Sequence, residues 1–219
     1  MALGIPQSAS GALALPLLTA VRATYPDIVF QLTEELTGTL TEQLRSGRLN
    51  LAILFDDGQL DSFNTKKMVE EEMMYITCTG SKFALKRKSI SMEKALQATL
   101  ILPSIQHGVR PRIEAKVRQA GKAIDKVIDI TSIAILKSAL MADMGATILP
   151  VSPFLSEINR GEMQAWTIND VELSRTVVLC SSKNIPLTNA SIAIEKLVLD
   201  VTQNLCRSGL WLGAKNLVS

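Results

Sequence analysis

Short apolar runs and stretches of helical spacing alternate along this chain, the pattern of an α/β protein with a largely parallel sheet. Leu3 to Ile5 reads as the end of a first strand, cut short where the chain starts. Residues 11–24 follow as a helix, with Leu13, Leu17, Ala20 and Val21 on one face and Pro26 stopping it. Ile28, Phe30 and Leu32 alternate with smaller or polar neighbours as a second strand. Leu36, Leu40 and Leu44 recur every four residues, which predicts a helix over residues 37–46 with Gly47 as its C-terminal cap. Residues 49–55 form a nearly continuous apolar run, the mark of a strand covered on both faces, and Asp56-Asp57-Gly58 breaks it with turn chemistry.

The later part repeats the alternation with a more polar, helix-rich middle. A strand over residues 73–79 leads to Gly80-Ser81, a candidate crossover between two lobes. Helices are expected over residues 91–97, with Ser91 as N-cap, and over residues 111–120, stopped by Gly121. Between and after them lie short strands at residues 100–102 and 127–130. Ser132 caps a helix reaching Ala142, with Ile135, Leu136, Ala139 and Leu140 inward. Strands at residues 146–149, 164–168 and 176–180 follow, the last carrying the chain back to the first lobe. Thr188 or Asn189 caps a final amphipathic helix to about Leu205, with Ile194, Leu197, Val201 and Leu205 in register. The tail from Arg207 reads as frayed, unless Leu210, Trp211 and Leu212 pack back on the core.

Composition narrows the classes. With 219 residues, 47% hydrophobic and 20% charged, the chain can bury a core large enough for one domain or for two lobes around a cleft. A net charge of +2 is too weak for a nucleic-acid surface, and the one dense basic run, Lys86-Arg87-Lys88, is balanced by Glu70-Glu71-Glu72 and reads as a solvated turn. Aromatic residues at 4% do not supply a base-stacking platform. Cys78, Cys180 and Cys206 are odd in number and lack zinc or disulfide spacing, which fits a reducing, cytoplasmic setting. The apolar stretch at residues 9–18 lacks a basic segment before it and reads as a core strand followed by a helix rather than a secretory signal.

Catalytic chemistry is poorly supplied. The single histidine, His107, sits in the loop-like Gln106-His107-Gly108, and no G-x-S-x-G elbow, phosphate loop or G-x-G-x-x-G is present, so no enzyme activity, metal or cofactor is expected. Met73, Met74, Met141 and Met144 read as core filler. Hydroxyl and small polar residues instead gather at the expected strand-to-helix junctions: Gln7, Ser8 and Ser10 before the first helix, Thr37 with Gly38 before the second, and Thr131 with Ser132 in the middle section. Each alone fits a plain helix cap. Together, in both lobes, they suit a small anion, because helix N-termini present unpaired N–H groups and a positive dipole end.

These residues lie within a longer resemblance. Gly4-Ile5-Pro6-Gln7-Ser8, Leu15-Pro16-Leu17-Leu18, Arg22 and Tyr25-Pro26, then Thr37-Gly38-Thr39-Leu40 and the run from Leu44-Arg45-Ser46-Gly47 through Ile53, resemble the regulatory domain of LysR-type transcription regulators. Met144-Gly145-Ala146-Thr147-Ile148-Leu149-Pro150 is similar to that family's glycine, apolar strand and proline signature. Within the family, Ile130-Thr131-Ser132 onward to Pro150 and the terminal Leu217-Val218-Ser219 look closest to the nitrogen assimilation control branch.

The resemblance implies a fold like the type 2 periplasmic binding proteins: two α/β lobes, residues 1–79 with 180–219 and residues 80–179, joined by two crossing strands with an effector cleft between them. It implies an N-terminal winged helix-turn-helix that this chain lacks, so DNA binding is expected of a longer protein. Effector contacts carried over from the family fall on Gln7, Ser8 or Ser10, on Thr37, and on Ser104, Thr131 and Ser132. Asn50 stands where the family usually has Asp, which keeps an acceptor but removes a charge. The helices around residues 13–24 and 190–205 are the expected dimer surfaces, with a tetramer in the full-length regulator. The alternative is a solute-binding protein of a transporter, which shares the fold but runs as a monomer.

Overall fold

A computed structural model describes residues 1–85, 87–104 and 109–218. The chain divides into two compact units, Met1–Glu71 with Arg175–Ser219, and Glu72–Ser174. The divisions expected after residues 79 and 179 move to 71 and 174. The displacement has a simple cause: the fourth strand is one uninterrupted run that passes through the division instead of ending at it.

The first unit begins with β1 (Ala2–Pro6), α1 (Gln7–Thr24), β2 (Gln31–Glu35), α2 (Thr37–Arg45) and β3 (Leu51–Phe55). β1 pairs in parallel with β2, placing Ala2 opposite Gln31 and Pro6 opposite Glu35, and on its other side with β3. Asn50 closes the entry to β3 by accepting a 2.7 Å hydrogen bond from the Ala2 amide, as the acceptor reading requires. α2 lies on one face of these strands, where buried Leu40 and Leu44 meet Ala52 and Leu54. Gly4 makes that approach possible: a Cβ there would stand 2.6 Å from both Leu40 Cδ2 and Leu49 Cδ1. Strand alternation leaves Leu3, Ile5, Leu51 and Ile53 for the opposite face, so both faces are apolar, as the continuous run at residues 49–55 predicts. Gly47, with φ +76, supplies the left-handed step that ends α2.

β4 (Phe63–Cys78) then runs from the first unit into the second. The second unit holds β5 (Ser89–Ile90), α3 (Met92–Ala95), β6 (Leu100–Leu102), α4 (Val109–Gln119), β7 (Val127–Asp129), α5 (Ile133–Met141), β8 (Thr147–Pro150), α6 (Leu155–Asn159) and β9 (Met163–Ile168). The last part of β4 pairs antiparallel with β8 and β9, and β9 pairs in parallel with β5. β6 and β7 form a separate parallel pair, bridged to Ala146 ahead of β8. Its core centres on Tyr75, Leu136, Leu140, Ile148, Phe154 and Trp166, with the Tyr75 and Trp166 rings 6.0 Å apart and tilted. Gly145 is needed where the chain passes β6, since a Cβ there would lie 2.3 Å from the Thr99 carbonyl oxygen.

The chain returns along β10 (Ser174–Ser182), which lies between β3 and β4 and is antiparallel to β3. α7 (Asn189–Arg207) packs against α1, and β11 (Ala214–Asn216) pairs antiparallel with β4 at Val69–Glu71.

Several expectations are corrected by packing. α1 starts at Gln7 rather than residue 11, since Pro6 already has the extended N-cap geometry and Ala9 is buried, so residues 9–18 are helical throughout. β2 begins at Gln31, and Val29, within the stretch expected as strand, is 87% exposed. β4 reaches back to Phe63 because its neighbours supply hydrogen bonds that the polar stretch Asn64–Lys67 does not advertise. The buried face of α7 is Ile194, Val198, Thr202 and Leu205, rotated from the expected Leu197 and Val201, which are half-buried. Ile135, Met141 and Met144 are exposed rather than internal. The tail is anchored, not frayed, but only Trp211 packs inward, Leu210 and Leu212 being exposed. Glu71, within the acidic run, is buried.

Two outcomes test this packing. Gly145→Ala forces its methyl against backbone and is expected to lower stability by about 2 kcal/mol, whereas Gly38→Ala, with nothing within 4 Å, is expected to change it by less than about 1 kcal/mol. Urea denaturation of both variants measures this, and equal stabilities would refute the close approach at Thr99. Burial, with the Asp56 charge adding to it, pushes the Cys180 thiol up to about 12, so the reactive thiolate is scarce at pH 8. Alkylation at pH 8 followed by peptide mass spectrometry is expected to leave Cys180 unmodified in the native chain and to label it after denaturation. Rapid native labelling would place Cys180 at the surface.

Candidate functional site

In the first unit, the site grows from the parallel pairing of β1 and β2. Because Pro6 lies opposite Glu35, the two strands end side by side, and each chain then enters a helix within two residues. The N-cap positions are Pro6 for α1 and Leu36 for α2, and neither helix receives a side-chain cap hydrogen bond. α3, α5 and α7 differ: Ser91, Ser132 and Thr188 accept from the amides of Lys94, Ile135 and Ser191. Capping side chains are worth about 1 kcal/mol, so two adjacent helix starts without them keep first-turn donors for water or for a ligand.

The polar residues expected here take different roles. Gln7, Ser8 and Ser10 all lie in the first turn of α1 and are half-buried, not at its N-cap. Ser10 Oγ donates to the Gln7 carbonyl at 3.0 Å, a local bond. Thr37 opens α2 and is half-buried, while its carbonyl accepts from Thr41 Oγ1 at 2.8 Å. Ser8 alone among them is held by a distant residue, accepting from Arg175 Nη1 at its Oγ (2.9 Å) and from Nη2 at its carbonyl (3.4 Å).

Arg175 belongs to a buried cluster that sequence reasoning missed. Its Nε and Nη2 lie 2.8 Å and 2.6 Å from Glu71 Oε2, and its guanidinium lies 3.7 Å from the centre of the Phe55 ring. Trp211 Nε1 donates to Glu71 Oε1 at 2.8 Å. Arg175 and Glu71 are each only 2% exposed. Removing one partner of such a pair leaves a buried charge uncompensated, at a cost of about 3–5 kcal/mol. The available signal was the single charged residue of β10, with a tryptophan in a tail otherwise expected to fray.

In the second unit, Ser104, Thr131 and Ser132 follow the ends of the parallel strands β6 and β7, where Leu102 lies opposite Asp129. Ser132 is the N-cap of α5, and Thr131 beside it is exposed. Among the described residues, Ser104 Oγ and Thr147 Oγ1 are buried without a hydrogen-bond partner. Leaving such a group unsatisfied costs about 1–3 kcal/mol. Each unit therefore gathers its own expected residues at the ends of adjacent parallel strands. His107 lies outside the described residues. Among the described residues, no group of three His, Cys, Asp or Glu side chains is placed to hold a metal ion, and no helix is long and apolar enough to cross a membrane.

Comparison with known proteins gives these features a context. Among curated relatives, the nitrogen assimilation regulatory protein of Escherichia coli (strain K12) is 26% identical over 201 residues, covering 90% of this chain and 63% of the relative's own length. The chain thus spans somewhat less than two thirds of that relative, and the expected likeness to nitrogen assimilation regulators is met. Among solved structures, the effector-binding domain of QuiR in complex with shikimate superposes with a TM-score of 0.80 at 19% identity, covering 93% of this chain and 97% of that one. The regulatory domain of CcmR from Synechocystis PCC6803, in complex with 2-PG, gives 0.82 at 16% identity, covering 94% and 98%. The fold is therefore the mixed α/β type of LysR effector-binding domains, as the resemblance implied. The family described as LysR substrate binding domain matches residues 1–202, and this chain belongs to it.

Proposed function

We propose that this chain is the effector-sensing and oligomerisation domain of a cytoplasmic LysR-type transcription regulator acting in nitrogen assimilation control. Each unit offers its own candidate contacts for a small anionic metabolite, Ser8 and Thr37 in the first and Ser104, Thr131 and Ser132 in the second. DNA binding belongs to a winged helix-turn-helix outside this chain. The observation that carries the reading is the pair of adjacent helix starts, α1 and α2, that lack side-chain caps and present Ser8 and Thr37 in their first turns. Donors arranged this way favour an oxyanion without a cofactor. The ligands named with two neighbours, shikimate for QuiR and 2-PG for CcmR, support a small anionic ligand class for this domain as well. A ligand shifts such a protein only by its differential affinity for two states, so the metabolite acts by favouring one packing of paired domains over another. The reported relatives are regulators rather than transporter components or enzymes, which weighs against both other readings.

A thermal-shift screen with shikimate, 2-PG, amino acids and dicarboxylates tests the ligand class. A ligand at a hundred times its Kd is expected to add about 2.7 kcal/mol, a rise of roughly 5–10 °C for a chain of this size. Ser8→Ala and Thr37→Ala are expected to abolish most of the rise; Thr37→Ala leaves the unliganded melting temperature within about 2 °C, whereas Ser8→Ala, which takes an acceptor from buried Arg175, lowers it by several degrees. A rise untouched by both substitutions would move the site elsewhere, and no rise with any ligand would defeat the effector reading.

Light scattering on the isolated chain is expected to give a dimer, with α1 and α7, which expose Leu15, Leu18 and Ile192, as the surfaces involved. A monomer at every concentration up to about 1 mM would favour the solute-binding alternative.

A further inference from the structure

The effector reading leaves one group of buried residues without a role. We propose that Arg175 is a positioning residue of that site: its guanidinium, neutralised by Glu71, holds the Ser8 hydroxyl as a donor toward a bound oxyanion and fastens the first turn of α1 to both points where the chain passes between its two units. The inference rests on the effector reading for the ligand and on geometry alone for the fastening.

A serine hydroxyl has one proton and two lone pairs. When Ser8 Oγ accepts from Arg175 Nη1 at 2.9 Å, its proton remains for another acceptor, and a cationic donor strengthens that outward bond. Ser8 is half-buried, so an anion can reach it. The guanidinium itself has little freedom. Glu71 takes Nε and Nη2, the Phe55 ring lies 3.7 Å from it, and the second oxygen of Glu71 is held by Trp211. Lysine can supply the charge but not the planar fork or the stacking.

The places of the two charged residues along the chain add the second part. Glu71 is the last residue of the first unit before β4 leaves it, and Arg175 is the first on return. One ion pair therefore ties both crossings together, and the same guanidinium reaches the first turn of α1. A ligand that pulls on Ser8 acts on the crossings through a single side chain.

The test uses the chain with Ser8→Ala, Arg175→Met, Arg175→Lys and the Ser8→Ala/Arg175→Met pair, with amide hydrogen exchange and sulfate titration by calorimetry as readouts. Arg175→Met is expected to raise exchange both at residues 11–13, whose amides bond to the first-turn carbonyls of α1, and at residues 72–74. Ser8→Ala is expected to raise it at residues 11–13 only, and Arg175→Lys to restore neither region fully. Sulfate affinity is expected to fall about tenfold in Ser8→Ala and in Arg175→Met and no further in their pair, because one interaction is removed in all three. Unchanged exchange at residues 11–13 in Arg175→Met would overturn the proposal, as would additive losses of about a hundredfold in the pair. If Arg175→Met fails to fold, Arg175→Lys carries the same comparisons. If sulfate does not bind the unaltered chain, the effector reading fails on that point, and the exchange pattern alone decides the fastening.

Discussion

A guanidinium and a carboxylate removed from water impose the strictest requirement in the first unit. Each ion carries a desolvation penalty of several kcal/mol, which their mutual attraction offsets only when the remaining donors and lone pairs are also satisfied. Glu71 and Arg175 meet that condition through Trp211, Ser8 and the face of Phe55. The pair therefore constrains five parts of the chain at once: β3, β4, β10, the start of α1 and the segment before β11. Packing of apolar residues alone tolerates small shifts, whereas a buried ion pair does not.

Around it, the fold explains why polar residues collect where they do. Parallel strands end at one edge, and the helices that follow start there, so every such junction brings a set of free amides to the same side. The chain treats these junctions in two ways. Where a helix is closed structurally, a serine or threonine accepts its first-turn amide, as at Ser91, Ser132 and Thr188. Where Pro6 and Leu36 hold the N-cap position, no such closure forms, and Ser8 and Thr37 stand within the first turn. The same hydroxyl side chains serve in both settings, so residue type alone does not tell a capped helix start from an uncapped one.

The errors of sequence reading follow the same physics. α2, the buried strand β3, and the caps Ser91 and Ser132 were legible because each depends on residues within a few positions of one another. β4 was read too short because its first half is polar and is a strand only through its partners β10 and β11. The face of α7 was rotated because Leu197 and Val201 are as apolar as the residues that turn inward, and only the surface of α1 against it selects the phase. Trp211 looked like part of a loose tail because its partner, Glu71, is 140 residues away.

By itself the sequence determined the α/β class, the order of most elements, the family, and the polar residues that flank the strand ends, since periodicity, turn chemistry and helix capping are local and survive in a one-dimensional pattern. Only the tertiary structure decided which hydroxyls accept a first-turn amide as caps and which do not, and which acidic residue of the run Glu70-Glu71-Glu72 is buried. The burial of a charge depends on a partner brought to it by folding: Arg175 lies 104 residues from Glu71 and 167 from Ser8, and no local signal encodes an encounter over that distance.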